Sequence, residues 1–199
     1  MCDLCEPDIS AVDKKIFEPT CGNGNFLVEI LRRKLTSIPK KICKNPSVSK
    51  AGITNFELHI LWAVSNIYAI DIQQDNVSEA RRRMQNVVFD FVNNYKNSAD
   101  FLSALNTIIE ANIIVGNTLS DPSKIIFFDF TPDFEAKTFT ISKHTLKEIE
   151  HTFENTTTTN ALKLKQAIQQ LKSPPPKKHP NLTVKKPKRK QNKVQIGLF

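Results

Sequence analysis

No run of about 18 consecutive apolar residues, the length that a transmembrane helix needs, occurs in this 199-residue sequence. The first residues, MCDLCEPD, are acidic and lack the basic and then apolar segments of a secretory signal peptide. These two absences argue against a membrane partner and predict a cytoplasmic protein. A chain of this length can bury a sizeable core, so we expect one folded domain.

Cysteine is also scarce. Of the four cysteines, only Cys2 and Cys5 form a C-x-x-C pair, and no second pair is present to complete a zinc site. A metal site would have to recruit Cys21, Cys43 or a histidine. The sequence therefore predicts no metal site and thiols that stay reduced.

Acidic residues are absent from residues 172–199, although nine of the 28 Lys and Arg side chains lie there. This segment carries a charge of +9, and because the whole chain sums to +8, the other 171 residues sum to −1. Its prolines and lysines predict a disordered tail over residues 173–199. Such a tail can bind DNA phosphates through counterion release without reading sequence, or it can be a solubilising or partner-binding extension.

Glycine is rare, but two of the five glycines fall in one segment, IFEPTCGNGNFL at residues 16–27. Ile16 and Phe17 predict the end of a buried strand, and the apolar residues after Asn25 predict a helix. A strand, a glycine turn and a helix in this order form a nucleotide-binding or anion-binding corner. Glycine lets the backbone approach a ligand, and the helix N-terminus offers unpaired N–H groups. A G-x-G turn alone also occurs in ordinary strand-to-helix connections.

The other apolar segments alternate between strand and helix patterns. They predict strands at 66–72, 111–119 and 124–130, helices at 25–35, 54–66, from Asp75 onward and at 161–172, and a final strand and helix within 138–153. Residues 36–50 are predicted to form a surface loop. This alternation predicts an α/β fold with a mainly parallel sheet. We assign residues 1–160 to one domain, 161–172 to a short helix and 173–199 to the tail.

Polar residues follow successive strands, at the carboxyl ends where parallel sheets bind ligands. Asp71 can accept hydrogen bonds from both hydroxyls of a ribose, or it can cap the next helix, for which Asp75 is the better candidate. Asn117 can pair with an adenine edge, or it can be an ordinary turn residue. Glu18 can pair with an ammonium group of a ligand, because a buried strand end rarely keeps an unpartnered carboxylate.

Three segments resemble, in this order, the first three motifs of S-adenosylmethionine-dependent N6-adenine DNA methyltransferases from restriction–modification systems. The segments are FEPTCGNGNFL, IYAIDIQQDNVSEARRRM and NIIVGNTL, and the resemblance covers residues 12–120. It implies a Rossmann-like class I methyltransferase fold with S-adenosylmethionine as cofactor. It also implies DNA as substrate and a restriction–modification subunit as a further partner.

The resemblance further implies a cofactor site built from residues at the three strand ends. Glu18 would hold the methionine ammonium group, Asp71 would bind the ribose, Ile72 would pack on the adenine face and Asn117 would lie beside the ring. The turn around the cofactor would be shaped by Thr20, Gly22 and Gly24.

The fourth motif of that family is missing. It consists of Asn or Asp, two prolines and an aromatic residue, which hold the adenine amino group and stack on the flipped base. Consecutive prolines occur here only at Pro174–Pro176. After KIIFF the chain reads DFTPDF at residues 129–134, which is a strand-to-loop exit or a degenerate motif with Asp129 as the candidate catalytic residue.

Three functions are compatible with these residues. The first is an active adenine-N6 methyltransferase with a degenerate fourth motif and a partner subunit. The second is a catalytically inactive pseudo-methyltransferase or truncated subunit that acts as a binding or regulatory module. The third is a methyltransferase that acts on small molecules or proteins.

Overall fold

The structure is a computed structural model that describes residues 6, 8–40, 42, 52–120, 122–146, 156–160 and 163–172. Its strands are β1 (Ile16–Glu18), β2 (Ile67–Asp71), β3 (Ile113–Val115), β4 (Ile126–Asp133), β5 (Thr138–Thr145) and β6 (Thr156–Asn160). Its helices are α1 (Asn25–Ser37), α2 (Asn55–Ser65), α3 (Gln74–Phe91), α4 (Ala99–Asn112) and α5 (Leu164–Lys172). No helix within these residues is long and apolar enough to cross a membrane. Cys2, Cys5, Cys43, most of the predicted loop at 36–50 and the tail at 173–199 lie outside the described residues.

The first sheet is parallel, with β2 between β1 and β3. Glu18 is the register partner of Ala69, and Asp71 is the register partner of Val115. Residues 67–70 of β2 are fully buried because neighbours cover the strand on both sides and both faces, as expected for a nearly continuous apolar run. The predicted strand at 66–72 is confirmed, whereas only residues 113–115 of the predicted strand at 111–119 are extended.

Two of the predicted helix starts can be compared with the observed N-caps. Thr54 caps α2, with its side chain accepting from the Glu57 N–H and the Glu57 carboxylate accepting from the Thr54 N–H, so the predicted capping position is confirmed. The N-cap of α3 is Gln73, and Asp75 lies in the first turn. The prediction that Asp75 caps this helix is therefore wrong.

Helix α4 was not among the sequence predictions. Ser98 caps it through its hydroxyl, which accepts from the Phe101 N–H. Its buried residues recur at helical spacing and include Phe101, Ala104, Leu105 and Ile108. These residues carried a readable helix signal, and α4 extends to Asn112, which is why β3 starts later than predicted.

The second sheet is antiparallel, in the order β4-β5-β6. A parallel neighbour would need a crossover of a dozen or more residues, but only residues 134–137 separate β4 from β5, so the two strands form a hairpin. The expectation of one mainly parallel sheet therefore holds for β1–β3 only. The predicted exit from strand to loop at residues 129–134 is also wrong, because β4 stays paired with β5 as far as Asp133.

The two sheets share two buried clusters. Tyr68 and Ile70 of β2 pack with Ile125 and Phe127, while the other face of β4 joins the main core through Phe128. The buried Asn112 side chain bridges the sheets, because its amide donates to the Phe128 carbonyl and accepts from the Phe128 N–H. Helix α5, predicted as a separate short helix, buries Leu164, Ala167 and Ile168 in the same main core.

Candidate functional site

The carboxyl ends of β1, β2 and β3 meet at one edge of the parallel sheet, which we call the ligand edge. Hydrogen bonding continues beyond the strands there: the Cys21 N–H donates to the Ile70 carbonyl at 2.9 Å, and the Gly116 N–H donates to the Asp71 carbonyl at 3.0 Å. These bonds hold the first turn and the segment after β3 close to β2. The predicted site residues from the three sequence motifs therefore lie at the same edge.

The glycine turn needs glycine at both positions, but for different reasons. Gly22 has φ +52° and a Cβ at this position would meet nothing within 4 Å, so only the backbone conformation favours glycine. Gly24 has φ +84°, and a Cβ there would lie 2.8 Å from the Ala80 Cβ and 2.9 Å from the Ala80 Cα. Gly24 therefore allows the start of α1 to lie directly against α3.

Asp71 connects the glycine turn to the start of α3. Its Oδ2 accepts from the Gly22 N–H at 2.9 Å, and its Oδ1 accepts from the Gln73 N–H at 2.9 Å and the Asn76 amide at 3.0 Å. Burial opposes ionisation, but these three donors prevail and lower the pKa of Asp71, so the carboxylate is charged at neutral pH. A carboxylate offers about four acceptor positions, so one remains for a ligand.

Glu18 and Thr20 close the turn that leaves β1. Glu18 Oε1 accepts from the Thr20 N–H at 3.1 Å and from the Thr20 hydroxyl at 3.2 Å. The Glu18 carboxylate is half-buried and lies against the first residues of the turn. Both residues have a structural role in the ligand-free chain, in addition to the role that the sequence motif predicts.

Asn117 forms a turn of its own after β3. Its Oδ1 accepts from the N–H groups of Leu119 and Ser120, at 3.0 and 3.1 Å. The side-chain acceptor that an adenine edge would need is therefore already used, and only the amide donor is left for a ligand. The alternative assignment of Asn117 as a turn residue is correct for the structure as it stands.

Apolar side chains are exposed at the ligand edge. Ile72, directly after Asp71, is 66% exposed, and Val115 and Leu119 are 44% and 94% exposed. Exposed aliphatic groups next to an ionised carboxylate suit a ligand that has a flat apolar ring and a hydroxylated part. Ile72 is thus available for the packing role that the second motif implies.

Asp129 lies away from the ligand edge. It is buried in β4, where it accepts a hydrogen bond from the Tyr68 hydroxyl and pairs with Lys15 Nζ at 2.5 Å. Lys15 precedes β1, and Tyr68 is three residues before Asp71, which corresponds to about 10 Å along a strand. Burial and the Asp129 charge raise the pKa of Tyr68 well above its usual value. The side chain of Asp129 therefore joins the two sheets near the amino end of β1.

His144 belongs to the same group of side chains. Its Nδ1 lies 3.9 Å from Asp129 Oδ2, and its ring is 6.2 Å from the Tyr68 ring, centroid to centroid. The sequence did not indicate this cluster, because its four members come from separate segments with no motif spacing. Among the described residues, no group of three His, Cys, Asp or Glu side chains is placed to bind a metal ion.

The sequence analysis assigned no role at the ligand edge to Cys21 or Arg83. Burial and the charge of Asp71 raise the pKa of the Cys21 thiol to about 11, so it is protonated at neutral pH and not a nucleophile. Arg83 Nη1 donates to the Asn25 side chain at 2.7 Å and to the Asn23 carbonyl at 3.1 Å. The only signal for Arg83 was its place within the second motif.

The fold and this edge define a mixed α/β protein whose three-stranded parallel sheet presents a glycine turn, a carboxylate and exposed aliphatic groups together. Comparison with known proteins adds no assignment, since no family model, curated protein or solved structure matches the chain. The functional assignment therefore depends on the sequence motifs and on the geometry of the ligand edge.

Proposed function

We propose that the ligand edge binds S-adenosylmethionine and that the chain is a DNA methyltransferase-like protein of the adenine-N6 type, related to restriction–modification methylases. The observation that carries this proposal is the 2.9 Å hydrogen bond from the Gly22 N–H to Asp71 Oδ2. It joins the key residues of two motifs that lie 49 positions apart in the chain. Two motifs that resemble one family thus meet where a shared ligand would need them.

The order of the parallel strands supports the same proposal. Across the sheet the strands lie in the order β3-β2-β1. This is the strand order of one half of a doubly wound, Rossmann-like sheet, in which ligands bind at the carboxyl ends of the strands. The proposed fold is therefore a class I methyltransferase fold, with a second half that departs from the usual parallel arrangement. The proposed location is the cytoplasm, and the proposed partners are DNA, through the basic tail, and a restriction–modification subunit.

The residues at the ligand edge fit this cofactor. The remaining acceptor position of Asp71 suits a ribose hydroxyl, and the exposed Ile72 side chain suits the face of adenine. Asn117 can contribute its amide donor, and Glu18 can hold an ammonium group. Gly22 and Gly24 shape the backbone around the ligand. The cofactor supplies a sulfonium methyl group, and the role of the protein is to place an acceptor in line with it.

A specific observation favours a second candidate, a binding module without methyl transfer. Asp129, the candidate catalytic residue, pairs with Lys15 and Tyr68 near the amino end of β1, not at the ligand edge. Asp129 is therefore not placed to accept a hydrogen bond from an adenine amino group. The binding-module candidate keeps cofactor binding and assigns regulation of a restriction–modification complex to the chain.

Calorimetric titration with S-adenosylmethionine tests the cofactor site. We expect micromolar binding by the wild-type protein and at least about a tenfold loss in Asp71→Ala, because a charged hydrogen-bonding partner is removed. Asp75→Ala is the matched control, since Asp75 is an exposed acid four residues away, and it should bind like wild type. Thermal melting of each variant separates lost binding from lost folding. A flat wild-type titration would reject the proposal.

Transfer of a labelled methyl group to adenine-containing DNA separates the two candidates. An active enzyme that uses Asp129 should lose transfer in Asp129→Ala while keeping its cofactor affinity. A binding module should bind the cofactor and transfer no label in either form. Transfer that is undiminished in Asp129→Ala would remove Asp129 from the chemistry and leave an active enzyme in which another group accepts the hydrogen bond from the adenine amino group.

A further inference from the structure

Arg83, a residue of α3, forms hydrogen bonds with the glycine turn of the ligand edge, and we call these contacts the Arg83 clamp. Arg83 Nη1 donates to the Asn25 Oδ1 at 2.7 Å and to the Asn23 carbonyl at 3.1 Å. Asn25 is the first residue of α1, and Asn23 lies between the two glycines. One guanidinium nitrogen thus connects the centre of the turn to the first residue of the helix.

The turn has no side-chain cap of its own. Gly24 is the N-cap of α1, so no side chain accepts from the first N–H groups of the helix, and no acidic residue lies in its first turn. Both glycines have positive φ. Because glycine has no Cβ, its backbone can adopt many other conformations at little cost. Within the turn the Gly24 N–H donates to the Cys21 carbonyl at 2.9 Å, and contacts from other elements add to this bond.

The unit formed by β2 and α3 supplies all of these contacts. Asp71, at the end of β2, holds the Gly22 N–H. Ala80 packs against Gly24, and Arg83 lies three residues further, on the same face of α3. Gly22, Gly24 and the two asparagines are thus each contacted by this unit.

The neighbouring arginines of α3 have other partners. Arg81 donates to the Ile113 carbonyl at 2.8 Å and to the Glu110 carbonyl at 3.2 Å, where α4 ends and β3 begins. Arg82 is exposed and pairs with Glu79 on its own helix at 2.7 Å. Within the RRR run, Arg83 alone reaches the glycine turn, and Arg82 offers a control of the same charge.

We propose that Arg83 is a positioning residue of the ligand edge: it fixes the glycine turn in the conformation that receives the methionine part of the cofactor. This inference rests on the proposed function, in which Glu18 holds the methionine ammonium group close to the same turn. Arg83 acts through Asn23 and Asn25 and does not itself touch the cofactor. Its loss should weaken recognition of the methionine part more than recognition of the nucleoside part.

The test compares Arg83→Gln, Arg83→Lys and the control Arg82→Gln in the full-length chain. Each is titrated with S-adenosylmethionine and with 5′-methylthioadenosine, which lacks the 3-amino-3-carboxypropyl group and the sulfonium charge. For Arg83→Gln we expect about a tenfold loss of affinity for S-adenosylmethionine and less than about a twofold change for methylthioadenosine. The affinity of Arg83→Lys for S-adenosylmethionine should lie between those of wild type and Arg83→Gln, because lysine keeps the charge without the planar donor fork. Arg82→Gln should bind both ligands like wild type.

Hydrogen exchange in the ligand-free protein gives a readout that does not depend on the proposed function. Amides of residues 22–26 should exchange faster in Arg83→Gln than in Arg82→Gln, while the amides of β2 stay unchanged. Equal losses of affinity for the two ligands, or unchanged exchange in the turn, would overturn the positioning role. If wild type binds neither ligand, the proposed function and this inference both fail. Wild-type binding with unaltered affinity in Arg83→Gln overturns this inference alone.

Discussion

At the scale of single residues, Lys34 shows how a charge in the interior holds the segment before β1. Its side chain is completely buried, and Nζ donates to the carbonyls of Ala11 and Lys14 at 2.5 and 2.6 Å. These bonds tie the segment before β1 to the last turn of α1. Burial, partly offset by the charge of Asp13, lowers the pKa of Lys34 from 10.5 to about 8.

This pKa predicts a rise in stability with pH. Between pH 8 and 10.5 the unfolded chain binds the Lys34 proton and the folded chain does not, so the free energy of unfolding increases as the pH rises. We expect wild type to gain about 2 kcal/mol between pH 8 and 10 relative to Lys34→Met. Urea unfolding at a series of pH values measures this difference. Below about pH 7 Lys34 is protonated in both states, and the difference should be constant.

Two features of the chain make this comparison clean. Cys21, whose pKa is raised to about 11, favours unfolding as the pH rises above 9, but it is present in both proteins and cancels in the difference. Lys40 is exposed, so Lys40→Met is the matched control for replacing a lysine by methionine at the surface. Parallel curves for wild type and Lys34→Met would show that Lys34 keeps its proton in the folded protein.

At the scale of elements, the approach of α1 to α3 sets the position of the glycine turn. This approach depends on Gly24, since any Cβ there would overlap the Ala80 backbone, and on the Arg83 clamp. Gly22 is in open space and contributes only its backbone conformation and its N–H. Gly24 is therefore required for packing, and Gly22 is required for the backbone conformation of the turn.

The two glycines should differ in the cost of adding a methyl group. Gly24→Ala combines a left-handed conformation with overlap against a helix backbone, so we expect a loss of about 3 kcal/mol in unfolding free energy. Gly22→Ala meets only the conformational penalty, about 1 kcal/mol. Guanidinium denaturation of both variants gives the comparison. Adding Ala80→Gly should return part of the Gly24→Ala loss, and equal losses at the two positions would refute the packing role of Gly24.

The elements also show where sequence patterns were sufficient. The capping box at Thr54 and the apolar run at β2 are local signals, and both elements formed where the sequence predicted them. The assignment of Asp75 as the N-cap was wrong because the first residue of a helix depends on where the preceding strand ends. The helix begins directly after Gln73, which is the N-cap. The pairing of β4 was misassigned because an apolar strand carries no information on the direction of its neighbour.

At the scale of the whole molecule, charge is divided between a nearly neutral body and a basic tail. Residues 172–199 carry +9 and the remaining 171 residues carry −1. DNA binding through such a tail would be independent of sequence and strongly dependent on salt.

Neutralising the tail tests this division. The variant changes six basic residues to glutamine, namely Lys185, Lys186, Lys188, Arg189, Lys190 and Lys193. We expect weaker binding to every duplex and a shallower salt dependence, with the slope of log K against log salt reduced by about 0.9 for each phosphate that the variant no longer neutralises. Fluorescence anisotropy over a salt series measures both. Lys177→Gln with Lys178→Gln should give a proportionately smaller change, and an unchanged slope in the six-residue variant would exclude the tail as the DNA-binding segment.

The sequence by itself determined the local features of this protein. The glycine turn with its flanking strand and helix, the start of α2 and the strand that ends in Asp71 all depend on residues close together in the chain. The separation of the basic tail from the neutral body is likewise a property of composition. Local conformation and charge are set by neighbouring residues, so they can be predicted without a structure.

Only the tertiary structure decided which of those features meet. It brought Gly22 to Asp71, set Arg83 against the turn, and placed Asp129 in a hydrogen-bonded group with Lys15 and Tyr68. These contacts join residues tens of positions apart, and they exist because apolar faces of separate elements are buried together. Strand direction in the second sheet was decided in the same way, by a connection too short for a crossover.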